Sequence, residues 1–452
     1  MNMMRLANFR RSGRVLVAIG LLAAVGRAAV EDEGGIWLGP VNLSPTLNIG
    51  IFYESNPDEV NENRKELMEA ADENRFDSTE GFNIQPGLNL LLPGNQWKLS
   101  GRLVYTYEDD NSDYSRSPED WRETLKFDGE TDGGTAWALG QSAQQLSYQQ
   151  YDEFSQDDRF GFGVNGMLGR QITDKSGLSV GASYRLVDYE DDYLYDSDNQ
   201  VYSLTFKHQL TEKTDGLLSL AYGINGADYD EVGSDRHPGT GPRRRLDVDI
   251  KDATYVNGSV GLGSRTTERL AFRALVGMTA FDDFEYEYPE AREYIEQGQV
   301  SEDEADTEYS FSYDMGLTWT PTERFTLNLS GNSAYESSED VRNNSLLAYS
   351  MIGSASYRFF TRVMLSGGVA YRYEDYLRNV DEDEVDIFKG TDAEGQGRSR
   401  QDDQINLFAG LTFGLTRYAS FYVNGLYTVT ESTIDDFDYD RYRISAGVAL
   451  QY

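Results

Sequence analysis

The stretch from Arg441 to Tyr452, Arg-Tyr-Arg-Ile-Ser-Ala-Gly-Val-Ala-Leu-Gln-Tyr, has the periodicity that decides the fold. Every second residue from Tyr442 onward is apolar or aromatic, and the residues between them are small or polar. Successive side chains of a β-strand point to opposite faces, so this segment has one apolar face and one face that tolerates water. We expect it to be the last strand of a closed sheet, in which the final strand pairs with the first.

The same pattern of alternation recurs along the chain at short intervals. Val41–Tyr53 and Trp97–Tyr107 each place Leu, Ile, Tyr or Trp on one face and small or polar residues on the other. Sixteen such stretches are clear, and residues 120–152 predict a further pair, around Glu123–Asp128 and Gln144–Tyr151, which matches the pattern least well. The chain is therefore predicted to contain about 18 strands, or 16 if this pair does not form.

The connections between these strands are of two kinds. Short ones, such as Pro93–Gln96 and Pro321–Arg324, use the residues that tight turns require, whereas long acidic ones cover residues 54–80, 226–251, 281–306 and 374–402. This asymmetry is typical of outer-membrane barrels, with short periplasmic turns and long extracellular loops. The predicted fold is all-β, a transmembrane antiparallel up-and-down β-barrel. A soluble sandwich or propeller is the alternative; aromatic residues near the strand ends and Gly, Ser, Thr and Asn on the opposite faces favour the barrel.

The first 28 residues have the layout of a secretory signal. Four Arg between Arg5 and Arg14 precede an apolar run from Val15 to Val25, and Gly26-Arg27-Ala28 offers a cleavage site. The run is too short to cross a bilayer as a helix. We therefore predict a signal peptide over residues 1–28, a short periplasmic N-terminal segment over 29–40 and a single barrel over 41–452, located in the outer membrane.

The composition fits an exported barrel. The chain has no Cys, so disulfides play no part in its fold, and it is rich in Tyr and Gly. Its mean hydropathy of -0.58 is too low for a helical membrane protein but suits a barrel with a polar lumen. The formal net charge of -37 argues against nucleic acid as a partner. Expected partners are outer-membrane lipid, lipopolysaccharide and the machinery that assembles barrels, and no cofactor is expected.

Strand alternation predicts which side chains line the interior. An Arg on the lipid face near the midplane costs about 2–4 kcal/mol, so basic residues in the strands belong on the polar face. The predicted set of lumen-facing basic residues is Arg102, Arg185, Lys207, Arg273, Arg358, Arg372 and Arg443. Two interpretations stay open: these residues create a field across the lumen, or they pair with inward acids such as Asp314 and Glu108 and fill the interior.

One segment of this acidic chain is strongly basic. The loop from Gly233 to Arg245 carries Arg236, Arg243, Arg244 and Arg245. It is a possible constriction loop that folds into the mouth and attracts anions. The alternative is an exposed loop whose charge is balanced by Asp247, Asp249 and Asp252.

The sequence offers no catalytic constellation and no metal site. Neither His208 nor His237 lies in a recognisable Ser-His-Asp arrangement, and neither is expected to meet a Ser on one strand face. The acids at Asp436, Asp438 and Asp440 lack the Gly and Glu of a calcium loop. Acid runs such as 302–306 and 381–386 are interpreted as solvated loop surface, with divalent cations bridging them to lipopolysaccharide as a weaker hypothesis.

The first predicted strand resembles a known family. Ser44-Pro45-Thr46-Leu47 leads to Phe52-Tyr53 and then Glu54-Ser55-Asn56, which is similar to the opening of the β-barrel porin 2 family, although Glu54-Ser55 departs from the usual wording by a residue. The resemblance covers about fourteen residues and implies an outer-membrane barrel related to those of exopolysaccharide loci.

Two functions are expected from these observations. The first is a porin that lets small hydrophilic solutes diffuse; the alternative is a component of exopolysaccharide export or surface organisation that acts by docking partners. An enzyme is not expected. The final strand carries the predicted assembly signal, formed by Tyr442, Ile444, Val448, Leu450 and Tyr452. Small residues on the lipid face, such as Gly353 and Ala355, leave a homo-oligomer possible.

Overall fold

The computed structural model describes twelve segments of the chain. They are residues 35–55, 78–110, 119–149, 156–189, 196–228, 249–251, 253–282, 285–287, 308–337, 345–376, 401–433 and 438–452. Within these segments the secondary structure is β-strand, joined by turns. None of the described residues belongs to a helix with the length and apolar character needed to cross a membrane.

The strands of the described segments are numbered β1 to β21 in chain order. The first seven are β1 (Ile36–Leu38), β2 (Val41–Ser55), β3 (Ser78–Pro93), β4 (Trp97–Asp110), β5 (Glu119–Glu130), β6 (Thr135–Gln149) and β7 (Gln156–Thr173). The next seven are β8 (Ser176–Tyr189), β9 (Asp196–Thr211), β10 (Thr214–Asp228), β11 (Asp249–Lys251), β12 (Ala253–Thr267), β13 (Leu270–Asp282) and β14 (Glu285–Glu287). The last seven are β15 (Glu308–Thr322), β16 (Phe325–Ser337), β17 (Ser345–Phe360), β18 (Val363–Tyr376), β19 (Gln401–Gly414), β20 (Ala419–Ser432) and β21 (Tyr439–Gln451).

Eighteen of these strands form a closed antiparallel barrel. They are β2 to β10, β12, β13 and β15 to β21, and each pairs with its neighbour in the chain. The ring closes where β21 pairs with β2, in a register that runs from Thr46 opposite Gln451 to Glu54 opposite Arg443. The predicted fold class and the strand number of 18 are therefore confirmed.

The pair that matched the pattern least well forms β5 and β6. β6 begins at Thr135, nine residues before the predicted start. Register places Glu123, Gln141 and Gln145 on the same face as Leu103, Leu139 and Trp121, where the other strands are apolar. These polar residues on the apolar face weaken the period-two contrast, which explains the poor match of the sequence.

Short turns close one end of the barrel with a repeated backbone arrangement. The carbonyl groups of Lys175, Arg269 and Arg362 accept the N–H groups of Gln209, Thr320 and Gly414, each at 2.7 Å. These bonds continue the sheet ladder into the turns. Four turns also share the succession of a Thr, an acidic residue and a basic residue. In each of them the backbone N–H of the basic residue donates to the Thr hydroxyl. The pairs are Lys175 to Thr173, Lys213 to Thr211, Arg269 to Thr267 and Arg324 to Thr322. The bonded turns make this end of the barrel a well-defined rim.

Apolar side chains cover the outer face of the barrel. On β9, Tyr202, Leu204, Phe206 and Leu210 are between 37% and 58% exposed, whereas buried hydrophobic residues such as Leu275, Phe281 and Leu346 lie on the other face. Apolar surface exposed to water is unfavourable, so an exposed apolar band of this extent suits a surface that contacts lipid.

Aromatic rings lie at both ends of this band. Near the short turns, Trp97 and Trp137 pack against Phe127, with centroids 5.6 and 4.4 Å away. Near the long loops, the ring of Tyr349 lies 6.4 Å from Tyr313 and 6.1 Å from Tyr373. Trp97 and Tyr107, at opposite ends of β4, are ten residues apart, about 33 Å along the strand and about 25 Å along the axis at the usual tilt. That height matches the hydrocarbon layer between two interfacial belts.

Three short strands lie outside the barrel wall. β1 falls in the predicted N-terminal segment 29–40 and pairs with the start of β2, Ile36 opposite Leu43. β11 and β14 fall in segments predicted to be loops and pair with each other, Ile250 opposite Tyr286. The loops that carry β11 and β14 are therefore linked at the long-loop end, which the alternation pattern did not predict because three-residue strands have too few positions to show it.

Candidate functional site

The inner face of the wall is identified at the seam where the barrel closes. On β21, Tyr442 and Ile444 are 39% and 51% exposed on the outer face. Arg443 lies between them and points the other way, and its Nη2 is 2.7 Å from Oε1 of Glu108 on β4. Three strand spacings separate β21 from β4 along the wall, about 14 Å. Side chains converge across that distance on the concave side of a sheet, so the face with Arg443 surrounds the interior.

Two arginines and two acids form a cluster at this seam. Nη1 of Arg443 lies 3.3 Å from Oε2 of Glu54, and Nε of Arg441 lies 3.5 Å from Oε1 of the same acid. The Arg443 guanidinium also lies 4.2 Å above the ring of Phe52. Glu54 is only 7% exposed, so its charge depends on these two partners. The cluster ties the first barrel strand to the last.

A second polar network lies on the inner face near the long loops. Arg372 on β18 pairs with Glu336 of β16 at 3.0 Å and with Glu374 of its own strand. The Tyr376 hydroxyl donates to Glu374 at 3.0 Å and lies 3.5 Å from Oδ2 of Asp402. Asp402 is 4% exposed and accepts a hydrogen bond from Ser432 at 2.6 Å. The network therefore links four strands, β16, β18, β19 and β20, along the inner face of one part of the wall.

The seven predicted basic residues all occupy positions opposite the exposed apolar face, and they divide into two groups. Four form ion pairs; besides Arg372 and Arg443, these are Arg273 with Asp314 at 3.1 Å and Lys207 with Asp215 at 2.8 Å. Asp314 and Glu108, the two inward acids named above as possible partners, bind Arg273 and Arg443. The other three, Arg102, Arg185 and Arg358, have no acidic group among the described residues within ion-pair distance, and their register neighbours include Thr124, Asn199 and Met364.

The end of β16 leaves the wall and enters the interior. Its ladder with β15 stops at Asn332 opposite Asp314, although its ladder with β17 continues to Ser337. Strand alternation would place Tyr335 outside, with Leu327 and Leu329. Instead its ring stacks on Phe281 of β13 at 4.9 Å and lies 5.7 Å from Tyr255 of β12. Tyr335 and Phe281 are 6% and 2% exposed, so this aromatic cluster is a packed part of the interior.

Tyrosines bridge the opening that β16 leaves in the wall. Tyr349 of β17 shares a hydrogen bond of 2.6 Å with Ser310 of β15, and Tyr313 of β15 donates at 3.0 Å to the carbonyl of Ser350 on β17. β15 and β17 are not neighbours in the sheet. These bonds hold the wall together while the end of β16 occupies the lumen.

The predicted constriction loop lies outside the described residues. This applies to Arg236, Arg243, Arg244 and Arg245, to His237 and to the acid runs 302–306 and 381–386. Among the residues that are described, no group of three or more His, Asp or Glu side chains is placed to hold a metal ion.

The predicted assembly-signal residues lie on the outer face of β21 and at the end of the chain. Tyr442, Ile444, Val448, Leu450 and Tyr452 are between 37% and 51% exposed. Val448 is opposite Ile49, and the rings of Tyr442 and Tyr53 are 5.7 Å apart. The N–H of Tyr452 donates to the carbonyl of Pro45 at 3.1 Å. The terminal aromatic residue thus lies at the short-turn rim, beside the first barrel strand.

The expectation that His208 meets no Ser on its strand face is wrong. Oγ of Ser176 on β8 lies 2.9 Å from Nδ1 of His208 on β9, and the two residues are directly opposite in register. Sequence reasoning missed the pair because 32 positions separate them and the register of β8 and β9 was unknown. Glu54, Glu336 and Tyr335 were missed for a different reason, because their partners lie on strands that are not adjacent in the chain.

The C-terminal part of the chain is similar to a known family. Residues 294–452 match the model of the family described as "Putative beta-barrel porin 2". The C-terminal third of the chain thus carries the signature of β-barrel porin 2. The resemblance inferred from residues 44–57 is confirmed by a match to different residues, namely those that contain β15 to β21. The chain is a closed antiparallel β-barrel whose C-terminal third is similar to this family.

Solved structures with the same architecture are distant. The FrpB iron transporter from Neisseria meningitidis, in its apoprotein form, is 10% identical, with 92% of this chain and 63% of that chain covered and a TM-score of 0.46. OpdQ from Pseudomonas aeruginosa is 10% identical, with 92% and 100% covered and a TM-score of 0.40. The alcaligin outer-membrane receptor FauA from Bordetella pertussis is 9% identical, with 91% and 76% covered and a TM-score of 0.39. No curated protein sequence matches the chain significantly.

Proposed function

We propose that this barrel is a diffusion channel of the outer membrane for small hydrophilic solutes. The observation that supports the proposal is the inner face, where Arg443, Glu54, Arg372 and Glu374 form ion pairs on the side away from the apolar band. Charged groups on that face must be hydrated or paired with each other, and a barrel of 18 strands encloses a lumen that is wide enough to contain water. The short turns would face the periplasm and the long loops the exterior.

The end of β16 narrows the channel near the long loops. Tyr335, Phe281 and Tyr255 pack against one another inside the wall. The Glu336–Arg372 ion pair of 3.0 Å fixes the strand end to β18, the strand beyond its hairpin partner β17. Solutes would pass beside this cluster, so its size would affect the width of the channel at this level. The conductance of the channel depends on it.

Selectivity follows from the unequal pairing of the inner basic residues. Arg273, Lys207, Arg372 and Arg443 are neutralised by nearby carboxylates. Arg102, Arg185 and Arg358 add positive potential to the wall, whereas the acidic loops favour cations at the outer mouth. We therefore expect these three arginines, which have no acidic partner in the part of the chain that the structure describes, to reduce the cation preference that the loops produce.

A second candidate function is a component of polysaccharide export that stays closed until a partner docks. The packed cluster around Tyr335 favours it, because a filled interior is what a closed exporter needs. Planar-bilayer recording of the purified barrel separates the two. A diffusion channel shows constant conductance steps without any partner; a bilayer that contains folded barrels but shows no steps supports the exporter and contradicts the channel.

A further inference from the structure

An ionisable side chain interrupts the apolar outer face of β9. Phe206 and Leu210 are 37% and 58% exposed on that face, and His208 lies between them. Polar and ionisable groups at the lipid surface of a membrane protein are costly unless they have a partner. The position of His208 therefore calls for a ligand or a neighbour with polar chemistry.

The surroundings of His208 supply part of that chemistry. Its ring stacks against Phe206, with centroids 6.4 Å apart and planes within 8° of each other. Its Nδ1 shares a hydrogen bond of 2.9 Å with Ser176. One nitrogen is thereby oriented by the protein, and Nε2 lies on the other side of the ring. A residue held this way presents a fixed polar atom at the edge of the lipid-facing surface.

An apolar groove of about 530 Å³ begins at this histidine. It is lined by Phe206, Leu218, Val260 and Leu262 from three neighbouring strands, and Gly216 leaves room beside His208. Leu218 and Val260 are 44% and 56% exposed, so the groove opens toward lipid. Its apolar lining suits a hydrocarbon chain that lies along the barrel wall.

A basic residue lies at the short-turn end of the same strands. Nζ of Lys213, in the turn between β9 and β10, donates a hydrogen bond of 3.1 Å to the carbonyl of Thr266 at the end of β12. The ammonium group therefore lies beside the end of β12, at the short-turn end of the strands that line the groove. An ammonium group has three donors, and the bond to Thr266 uses one of them.

We propose that this groove binds one acidic phospholipid of the leaflet on the short-turn side. The phosphate group would lie between Lys213 and His208, and one acyl chain would lie on Leu218, Val260 and Leu262. Charge complementarity decides the headgroup, since a basic residue near the interface attracts anionic lipid by about 1 kcal/mol. The site is independent of the proposed channel, because it lies on the outer face.

Native mass spectrometry of the folded, full-length protein in detergent tests the proposal. The probes are dioleoylphosphatidylglycerol and dioleoylphosphatidylcholine, which have the same acyl chains and differ in the headgroup, anionic in the first and zwitterionic in the second. We expect one phosphatidylglycerol to be retained under activation that removes phosphatidylcholine. Lys213→Gln should weaken its binding about five-fold. Gly216→Leu should abolish it by filling the groove; its Cβ would lie 3.4 Å from Leu210, an ordinary contact.

Matched variants serve as controls. Gly166→Leu introduces the same side chain on the outer face of β7, where the Cβ would lie 3.3 Å from Leu139, and Arg362→Gln removes a basic residue from another short turn. Both should bind lipid as the wild type does. Equal retention by all variants would mean non-specific annular lipid, and displacement by glycerol phosphate would mean a free-phosphate site; either result overturns the proposal. If Gly216→Leu does not fold, as judged by heat-modifiable migration, His208→Leu and Lys213→Gln decide the outcome.

Discussion

Nη2 of Arg443 lies 2.7 Å from Oε1 of Glu108, although the strands that carry them, β21 and β4, are separated in the wall by β2 and β3. The contact joins the end of the chain to its beginning and can form only when the sheet has closed. It also shows which side of each strand faces inward, because side chains three strands apart converge only inside a barrel. The ion pair is thus both a product of closure and a support for it.

Replacing Arg443 by Met should destabilise the closed barrel. Glu108 would lose its cation and Glu54 would keep only Arg441, and leaving part-buried acids without such a partner costs about 1–3 kcal/mol. The measurement is the free energy of unfolding in urea from phospholipid vesicles. Arg358→Met is the matched control, since Arg358 lies on the same face without an acidic partner among the described residues, and it should change stability by less than half as much. Equal losses in the two variants would remove the role assigned to the cluster.

The two faces of β21 should respond differently to a new charge. Val448 is 37% exposed on the outer face, whereas Ser445, opposite Phe52 of β2, lies on the inner face. Val448→Arg should lose about 2–4 kcal/mol or fail to assemble, and Ser445→Arg should assemble with little loss. Heat-modifiable migration after folding into vesicles measures both. Similar yields from the two variants would contradict the assignment of the faces.

At the seam, Gly50 of β2 leaves room for the side chain of Tyr422. Tyr422 lies on β20, which is separated from β2 by β21. A Cβ on Gly50 would lie 2.7 Å from the Tyr422 hydroxyl and 2.8 Å from Oδ1 of Asn83. Gly50→Ala should therefore lower folding yield, and Tyr422→Phe should restore part of it by removing the hydroxyl. A Cβ on Gly447 would meet both the Tyr422 hydroxyl and the backbone carbonyl of Ile49. Because the carbonyl remains in the Tyr422→Phe variant, Tyr422→Phe should not restore the folding yield of Gly447→Ala.

Gly425→Ala is the control for this pair of tests. Gly425 lies on β20, next to β21, and a Cβ there would have no atom within 4 Å. Its folding yield should match the wild type. If Tyr422→Phe restored the folding yield of Gly447→Ala as much as it restores that of Gly50→Ala, the contact with the Ile49 carbonyl would not be the reason why Gly447→Ala folds poorly.

The three inner arginines that have no acidic partner among the described residues should influence ion selectivity. Substituting Arg102, Arg185 and Arg358 by Gln removes three positive charges from the wall and leaves the paired arginines in place. The reversal potential in planar bilayers under a salt gradient should move toward stronger cation preference. The control removes both charges of a pair, Arg273→Gln with Asp314→Asn, whose side chains are 3.1 Å apart. A shift as large in this control as in the triple variant would contradict the proposed role of unpaired charge.

Alternation along single strands predicted a large part of this fold, because lipid contact acts on each strand separately. The pattern of residues 442–452 was enough to place Tyr442 and Arg443 on opposite faces. It failed where local contrast was weak, as at Glu123 and Gln145, whose side chains are polar on the apolar face. The three residues of β1 were too few to show any period.

The interior was less predictable, because its contacts depend on how distant strands are arranged in the closed ring. Alternation indicated that Asp314 and Glu108 face the interior, but it does not show which inner arginines they bind. It does not distinguish Arg273 and Arg443, which bind these acids, from Arg102, which has no acidic partner among the described residues. The inward course of β16 had no local signal either. Tyr335 has the same parity as Leu329, and only its contacts with Phe281 and Tyr255 show that the strand leaves the wall.

Single-channel conductance of a variant with a released β16 end tests the proposed channel most directly. Tyr335→Ala combined with Glu336→Gln removes the ring that stacks on Phe281 and the acid that binds Arg372 at 3.0 Å. The control is Tyr309→Ala, whose ring is 69% exposed on the outer face. We predict constant steps for the wild type and the control, and larger steps for the double variant. Silence of all three proteins, each shown to be folded in the bilayer, would contradict a channel whose width is set by the end of β16.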